Sequence, residues 1–347
     1  MKRTRTSEFV SLGHPDKIAD YISSYLLDRY LEQDPFTRFA VECQIKDSVV
    51  NLAGEVSSAY DMGFDEIRAH VIDAVKEIGY TMEYLERWGA TNTIGAENLA
   101  INIYIGKQSP DIARGVDADG WGDQGIFWGM ATPDADYDFL ARDHFEAKCL
   151  CNELFTRATK SIGIGLDIKT QVEMVDDSVS TVVVAAPCLT DEMQNLLVDC
   201  CQTYLVQENM TKANLIVNGT GSYIVHGPVG DCGTTGRKLA VDFYGGNCRI
   251  GGGSPWTKDG TKADVALNLF ARKIALQTAR ALGCTIYVAI SSCIGRREIS
   301  VSWFDDKHFQ LGSLVEDRPA EDVIRALNLR KPTFAQRCRE GLFFDIA

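Results

Sequence analysis

The segment from residue 228 to residue 264 holds the side chains of this sequence that are best suited to chemistry, and it reads PVGDCGTTGRKLAVDFYGGNCRIGGGSPWTKDGTKAD. Glycine lets backbone N–H groups approach a ligand, lysine and arginine neutralise phosphate oxygens, and an aspartate can hold a divalent ion between them. The chain as a whole carries a net charge of −13, so this density of cations is unusual for it. The segment therefore predicts a polyphosphate site. Its charged residues include Arg237, Lys238, Lys258, Lys262, Asp231, Asp242, Asp259 and Asp264.

A second group of reactive side chains lies near the start of the chain, at the predicted beginning of a helix, and reads His-Pro-Asp-Lys. Backbone N–H groups and the helix dipole favour an anion at such a position. There, Asp16 could ligate Mg²⁺, Lys17 could contact a phosphate and His14 could stabilise a departing oxygen. Taken alone, these residues are better explained by an ordinary helix cap, because an aspartate in the first turn with a proline beside it is a common start of a helix.

The run from Gly233 to Lys238 is similar to a P-loop but does not match one. A P-loop has four residues between its glycines and a serine or threonine after the lysine. Here the residue after the lysine is Leu239. The alternative is a glycine-rich turn with a solvated basic pair, although a simple turn does not require the two further lysines and the aspartate that follow within thirty residues.

A glycine- and aspartate-rich loop is predicted from residue 106 to residue 125, between GKQSPD and GDQG. Loops of this length inside compact domains are usually functional or disordered. A lid over a site and an exposed linker both explain it, and the spacing does not decide between them.

Composition limits the class of protein. A chain of 347 residues is long enough for two or three domains, and it contains no apolar run that could cross a bilayer and no signal-peptide pattern. The acidic balance argues against a nucleic-acid binder. The 11 cysteines lack the spacing of a disulfide framework or a zinc site. We therefore expect free thiols in a reducing compartment, the cytoplasm.

The periodicity predicts an α+β protein in which pairs of strands alternate with helices. We expect three similar units, with helices against one face of each sheet, at residues 1–106, 107–226 (beginning with the loop) and 227–347 (carrying the glycine-rich segment). Helices are predicted at 14–33, 65–78, 142–161, 191–208, 263–282 and 320–327. Strands are predicted as two within 39–56, and at 100–105, 169–175, 179–186, 285–291 and 298–304.

Five sequence blocks together resemble the S-adenosylmethionine synthetase (methionine adenosyltransferase) family, in the family's order and over nearly the whole chain. They are SLGHPDKIAD, GKQSPDI, GDQG, GPVGDCGTTGRK and GGGSPWTKDGTKAD. The resemblance implies the family's pseudo-threefold arrangement of three units on mixed and antiparallel sheets. It also implies the family's reaction, in which the methionine sulfur attacks C5′ of ATP and the released triphosphate is hydrolysed to pyrophosphate and phosphate.

The resemblance also implies a role for each site residue, with two Mg²⁺ ions and one K⁺ as cofactors. The expected catalytic residues are His14, Lys169, Arg237, Lys238 and Lys258. ATP and its phosphates would be bound by Lys17, Asp167, Tyr223, Asp231 and Ser254. Methionine would be bound by Glu55, Gln108, Asp123 and Lys262, with Asp231 also near it. The expected metal ligands are Asp16 and Asp264 for Mg²⁺ and Glu42 for K⁺.

The family resemblance implies a homodimer with shared active sites and leaves a tetramer open; no nucleic acid or membrane partner is expected. The chain departs from the family at Leu12, Ser222 and Ile250, in a shorter loop between residues 117 and 122, and at its C-terminal end. These departures leave the phosphate residues intact, so we expect activity. Two alternatives are a triphosphate hydrolase, which Glu55 and Gln108 argue against, and a non-catalytic regulatory paralogue, which the retained cations and His14 argue against.

Overall fold

A computed structural model of the chain describes residues 3–107, 120–161 and 163–346. Within these ranges it forms twelve strands, ten α-helices and two short 3-10 helices. The strands are β1 (Thr4–Val10), β2 (Arg38–Lys46), β3 (Val49–Ser57), β4 (Ala100–Lys107), β5 (Gly125–Ala131), β6 (Lys169–Val175), β7 (Ser178–Ala185), β8 (Asn214–Val217), β9 (Gly233–Thr234), β10 (Ile286–Ser292), β11 (Glu298–Phe304) and β12 (Gln310–Asp317). The helices are α1 (Pro15–Gln33), α2 (Phe64–Ile78), α3 (Met82–Trp88), α4 (Arg142–Lys160), α5 (Asp191–Gln207), α6 (Gly227–Gly230), α7 (Leu239–Asp242), α8 (Ala263–Leu282), α9 (Ala320–Ala326) and α10 (Phe334–Glu340).

Three four-stranded sheets form the framework, in the orders β4-β3-β2-β9, β1-β6-β7-β8 and β12-β11-β10-β5. One helix packs directly against each sheet, α1 on the first, α4 on the second and α8 on the third, and a second helix packs beside each of them, α2, α5 and α9 respectively. The predicted α+β architecture of strand pairs and helices is therefore confirmed. Every predicted helix and strand is present, with its ends within about two residues of the prediction.

In each sheet, one of the four strands comes from a distant part of the chain. β9 pairs with β2, β1 pairs with β6 and β5 pairs with β10, all antiparallel. In the first two sheets the remaining strands follow one pattern, an antiparallel pair and then a parallel strand, whereas β12 runs antiparallel to β11. The division at residues 1–106, 107–226 and 227–347 stays a proposal, and the exchanged strands tie the three segments together.

The strands alternate between a buried face under the helices and an outward face. On β2, Phe39, Val41, Cys43 and Ile45 are buried, and Glu42 on the opposite face is exposed. This alternation follows from the two-residue period of a strand. Several of the predicted site residues lie on the outward faces of the sheets. Their side chains are not covered by the helices and can therefore reach a ligand.

Helix α1 is buried on almost every side, which is unusual for a helix with this many polar residues. It lies between β2, α2 and α10. Asp28 holds α10 in place by accepting hydrogen bonds from the backbone N–H groups of Phe334 (2.9 Å) and Ala335 (2.8 Å). Because α1 is enclosed in this way, its first turn has a fixed position relative to the glycine-rich segment.

None of the helices in the described part of the chain is both long and apolar enough for a bilayer crossing. The eleven cysteines are all free thiols, as the sequence predicted.

Candidate active site

The glycine-rich segment meets the first turn of α1 through β9. A Cβ atom at Gly233 would lie 2.1 Å from the carbonyl oxygen of Pro15, so only glycine permits this approach. The next residue, Thr234, donates its backbone N–H to Oδ1 of Asp16 at 2.9 Å. The backbone contact thus brings two distant motifs of the sequence into one site.

Asp16 lies between the two cations that follow the turn. Its Oδ2 is 2.5 Å from Nζ of Lys238, and its Oδ1 is 3.7 Å from Nε of Arg237. The carboxylate is almost completely buried, whereas the Arg237 side chain is half exposed. These two cations can therefore meet a ligand from solvent while Asp16 holds them from beneath.

His14 caps α1 and is held as a neutral ring. Its Nδ1 accepts a hydrogen bond from the backbone N–H of Asp16 at 3.1 Å, which places the proton of the neutral ring on Nε2. The side chain is 3% exposed. Burial, together with the charges of Lys238 and Lys169, lowers the pKa of His14 to about 2. This ring can donate a hydrogen bond to an oxygen without carrying a charge of its own.

Lys17 lies behind this site, in a buried ion-pair cluster. Its Nζ is 2.6 Å from Oδ1 of Asp242 and 3.2 Å from Oδ2 of Asp20, and it sits 4.4 Å from the centre of the Trp256 ring. Burial alone would lower the pKa of Lys17, but the carboxylates of Asp242 and Asp20 outweigh it and raise that pKa. The Lys17 ammonium group, which the sequence predicts to contact a phosphate, is thus enclosed by two carboxylates and an aromatic ring.

The same cluster supports the turn at residues 233–238, which we name the phosphate turn after the polyphosphate site that its sequence predicts. Oδ1 of Asp20 accepts the backbone N–H of Gly236 at 2.9 Å. Asp242 ends the short helix α7 that follows Lys238, and its Oδ2 accepts the Trp256 indole N–H at 2.8 Å. Asp20 and Trp256 were not predicted as site residues. A buried carboxylate three residues after Lys17 on the same helix face was the available signal for Asp20.

A third wall is formed by the residues around Asp167. Its Oδ2 accepts the backbone N–H of Gly227 at 3.1 Å, and its Oδ1 is buried without a partner among the described residues. Burial raises the pKa of Asp167 to about 6 despite the charge of Lys169. The charge of the exposed Asp231 acts to raise the pKa of Asp167 and that of His14. Burial and the nearby Asp167 raise the pKa of the half-buried Tyr223.

Two tyrosines that were not predicted hold these backbone segments together. Tyr80 donates its hydroxyl to the carbonyl oxygen of Gly13 at 2.7 Å. Tyr84 accepts the backbone N–H of Leu166 at 3.1 Å and bonds Nε2 of His226 at 2.5 Å. Because Nδ1 of His226 donates to the carbonyl oxygen of Ile224 at 2.7 Å, Tyr84 is the donor in that bond. The residues beside His14, Asp167 and Gly227 are thus fixed by one aromatic cluster.

A second set of charged residues surrounds the start of α8. Nζ of Lys258 is paired with Oδ2 of Asp264, and Oδ1 of Asp264 accepts the backbone N–H of Gly253 at 2.8 Å. Lys262 lies 3.3 Å from Asp259. Ser254 adjoins this set and would contact a Cβ at Gly236, whose φ of +74° also requires glycine. Ser254 therefore marks the point where the two glycine-rich turns touch.

The outward face of β2 and β3 carries two more predicted residues, Glu55 and Glu42, close to the second set. The backbone of Lys258 forms an isolated antiparallel β-bridge with Ala40. Ala40 in turn lies opposite Glu55 in the register of β2 and β3. Glu42 lies two residues further along the same face and accepts a hydrogen bond from the hydroxyl of Thr235. Asp123 is exposed and accepts the backbone N–H of Gln124 at 2.8 Å, and within the described part of the chain it forms no hydrogen bond or ion pair with the other predicted residues. Gln108 and most of the predicted lid lie outside the described residues.

The residues present fit the expected cations by their chemistry. Mg²⁺ is typically held by one or two carboxylates together with substrate phosphates and water, rather than by a complete protein cage. Asp16 and Asp264 each offer one carboxylate beside lysines that would contact the same phosphates, and no cluster of three potential ligands occurs among the described residues. The Glu42 carboxylate and the Thr235 hydroxyl offer oxygen ligands suited to K⁺.

Comparison with known proteins places the chain in one family. Residues 2–110 match the model of the S-adenosylmethionine synthetase N-terminal domain, and residues 225–345 match that of its C-terminal domain. An S-adenosylmethionine synthase from Corynebacterium urealyticum is 34% identical over 389 aligned residues, which cover 99% of this chain and 93% of that protein. One from Mesoplasma florum is 32% identical over 374 residues, with 99% and 95% covered.

The solved structure of an unusual S-adenosylmethionine synthetase from Campylobacter jejuni is similar throughout. Its TM-score is 0.86 at 28% identity, over 98% of this chain and 94% of that one. This similarity confirms the predicted S-adenosylmethionine synthetase fold of three similar units. The chain belongs to the S-adenosylmethionine synthetase family.

Proposed function

We propose that this chain makes S-adenosylmethionine from ATP and methionine by holding a departing triphosphate between Lys238, Arg237 and the residues around Lys258. The observation that carries this is the contact of the glycine-rich turn with the first turn of α1. There, Asp16 anchors two cations beside a neutral His14. This arrangement matches the chemistry of a leaving group that is a polyanion.

The reaction requires alignment of the reacting atoms and stabilisation of the leaving group's charge, and it does not require a general base. A thioether sulfur has no proton to remove, so catalysis has to come from placing sulfur, C5′ and leaving oxygen in line and from stabilising the negative charge on the leaving group. Nε2–H of His14 would donate to the oxygen that bridges C5′ and the α-phosphate. The ammonium and guanidinium groups of Lys238 and Arg237 would exchange part of their interaction with Asp16 for phosphate oxygens.

The remaining residues would hold the two substrates and the cations. Asp16 and Asp264 would hold Mg²⁺, which supplies positive charge to the phosphate oxygens when it is bound, and Glu42 would hold K⁺. Asp167, Lys169, Tyr223, Asp231 and Ser254 would line the ATP site, and Glu55, Gln108, Asp123 and Lys262 the methionine site. Lys17 is proposed here as a support of the phosphate turn, because its ammonium group is enclosed by two carboxylates.

We also propose a homodimer in which each active site uses both chains. Lys238 pairs with Asp16 and Lys258 pairs with Asp264, and no ion pair among the described residues joins the two sets. The sheets also expose apolar side chains on the faces opposite their helices, including Tyr104, Ile126 and Ile216. Two such faces packed together would bury this surface and bring the sets from different chains together. The free thiols support a cytoplasmic location.

The activity is tested by incubating the pure protein with ATP, Mg²⁺, K⁺ and methionine and measuring S-adenosylmethionine and phosphate. We expect both products, and neither should form when methionine or ATP is left out at the start. Phosphate without S-adenosylmethionine would overturn the proposal in favour of a triphosphate hydrolase. The absence of both products would favour a non-catalytic paralogue.

The shared site is tested by mixing two inactive variants, Lys238→Met and Lys258→Met, under conditions that exchange subunits. If one site takes these lysines from different chains, each mixed dimer contains one intact site, and an equal mixture regains about a quarter of the wild-type activity. If both lysines of a site come from one chain, the mixture stays inactive. Each variant mixed with itself is the control.

A further inference from the structure

A cavity of about 500 Å³ lies apart from the Asp16 and Asp264 carboxylates, between α4, α8 and the segment that follows α10. This volume is within the range of small-molecule sites, roughly 300–1,000 Å³. Much of its wall is apolar and aromatic, including Phe9, Phe139, Phe155, Leu276 and Phe343. A wall of this kind suits a ligand with an apolar body.

Five lysine and arginine side chains line the same cavity. Lys17 and Arg339 are paired with carboxylates, whereas the other three have no carboxylate partner among the described residues. Lys148 forms no hydrogen bond or ion pair with the described residues. Arg280 lies over the Phe139 ring at 4.5 Å, without a carboxylate partner in the described part of the chain. Arg272 is buried and donates to the carbonyl oxygens of Phe139 (3.0 Å) and Asp138 (2.8 Å), while its Nε has no partner there.

The positive charges in this cavity are not fully compensated by direct contacts. Burial lowers the pKa of Lys148, and the neighbouring Arg272 lowers it further. The acidic side chains that line the cavity on this side are Asp138, Glu340 and Asp345, and Asp138 and Glu340 offset part of the effect of Arg272. None of these carboxylates is within 4.0 Å of the ammonium group of the half-buried Lys148, although an unpaired ammonium that is partly removed from water is costly.

We propose that this cavity is a binding site for a small organic anion, an apolar or aromatic body that carries a carboxylate or sulfonate group. Its anionic group would pair with Lys148 and meet Arg280 or Nε of Arg272, and its body would lie against the aromatic wall. Lys17 and Asp242 form part of the same wall. A bound ligand would therefore lie directly behind the support of the phosphate turn.

The test uses 8-anilinonaphthalene-1-sulfonate as the probe and the full-length protein, with affinity and stoichiometry measured by calorimetry. Wild type should bind one probe per chain at this site. The uncharged analogue N-phenyl-1-naphthylamine should bind at least roughly tenfold more weakly, as expected for loss of a charge-assisted contact. Since binding is measured without turnover, this result is independent of the proposed activity.

Two variants locate the probe. Lys148→Gln and Arg280→Gln should each weaken binding by roughly tenfold, and the exposed Lys212→Gln should leave it unchanged. Equal binding of the charged and uncharged probes, or unchanged affinity in both cavity variants, would overturn the proposal. The probe comparison on wild type needs no variant, so it decides the question even if a substitution disturbs folding.

Discussion

Replacement of Lys17 distinguishes a structural support from a phosphate ligand. In Lys17→Met, the buried carboxylates of Asp20 and Asp242 lose the cation between them. Their side chains are 0% and 5% exposed, and each keeps a second partner, Gly236 N–H and Trp256 N–H respectively. Removing one member of a buried charge pair typically costs about 3–5 kcal/mol of unfolding free energy.

The lower end of that range is expected near neutral pH. Burial raises the pKa of Asp20 to about 7 even with Lys17 present, so this carboxyl can take up a proton when the lysine is removed. We therefore expect Lys17→Met to lose about 3 kcal/mol at pH 7.5, and less at pH 6. Turnover should also fall, because the Gly236 turn loses its fixed support.

The assay is urea unfolding of wild type and variant at one protein concentration, followed by circular dichroism. The exposed Lys212→Met is the matched control and should be within about 0.5 kcal/mol of wild type. The double variant Lys17→Met/Asp242→Asn should recover part of the loss, since it removes one of the unpaired carboxylates. A Lys17→Met protein of wild-type stability that shows only a raised KM for ATP would refute the structural role and indicate phosphate contact.

Three further predictions follow from the site. Lys238→Met should fold normally but lower kcat by roughly 10²- to 10³-fold through lost leaving-group stabilisation; steady-state kinetics with near-normal turnover would contradict its role. Tyr84→Phe should lose about 1–3 kcal/mol in urea unfolding, because Nε2 of the buried His226 loses its donor, and an unchanged stability would show that this bond contributes nothing. Burial lowers the pKa of His226 to about 4, whereas the unfolded state binds this proton below about pH 6.5. The protonation of His226 in the unfolded state should therefore reduce the free energy of unfolding by about 2 kcal/mol as the pH falls from 7 to 5. His226→Gln should remove this part of the pH dependence, and an identical pH dependence in the variant would contradict the prediction.

The sequence alone was sufficient to predict the helices and strands whose residue pattern is local. The helix predicted at residues 263–282 has these ends in the structure, because its apolar spacing is regular and Gly283 ends it in a left-handed conformation. The strand pair within residues 39–56 was likewise visible from alternation around a turn. β1, β5, β8, β9 and β12 were not predicted. β1, β5 and β9 pair with strands that are distant in the sequence, and β8 and β9 are short, so the local pattern carries little information about them. β12 is exposed along most of its length and therefore shows no clear alternation of apolar and polar residues.

The candidate site shows the same limit. The motifs indicated which residue types could bind a triphosphate, and the contact of Gly233 with Pro15 explains how two of those motifs meet. The position of Lys17 behind the site was not visible in the sequence, because Asp242 is 225 residues away. The Tyr84–His226 bond, which spans 142 residues, was hidden for the same reason.

The central claim, that the whole triphosphate leaves before it is hydrolysed, is tested most directly by a single-turnover experiment. Enzyme in excess over ATP is mixed with Mg²⁺, K⁺ and saturating methionine and quenched with acid at successive times. S-adenosylmethionine and bound triphosphate should appear first, followed by pyrophosphate and phosphate. Phosphate that appears before S-adenosylmethionine, or in its absence, would contradict the claim.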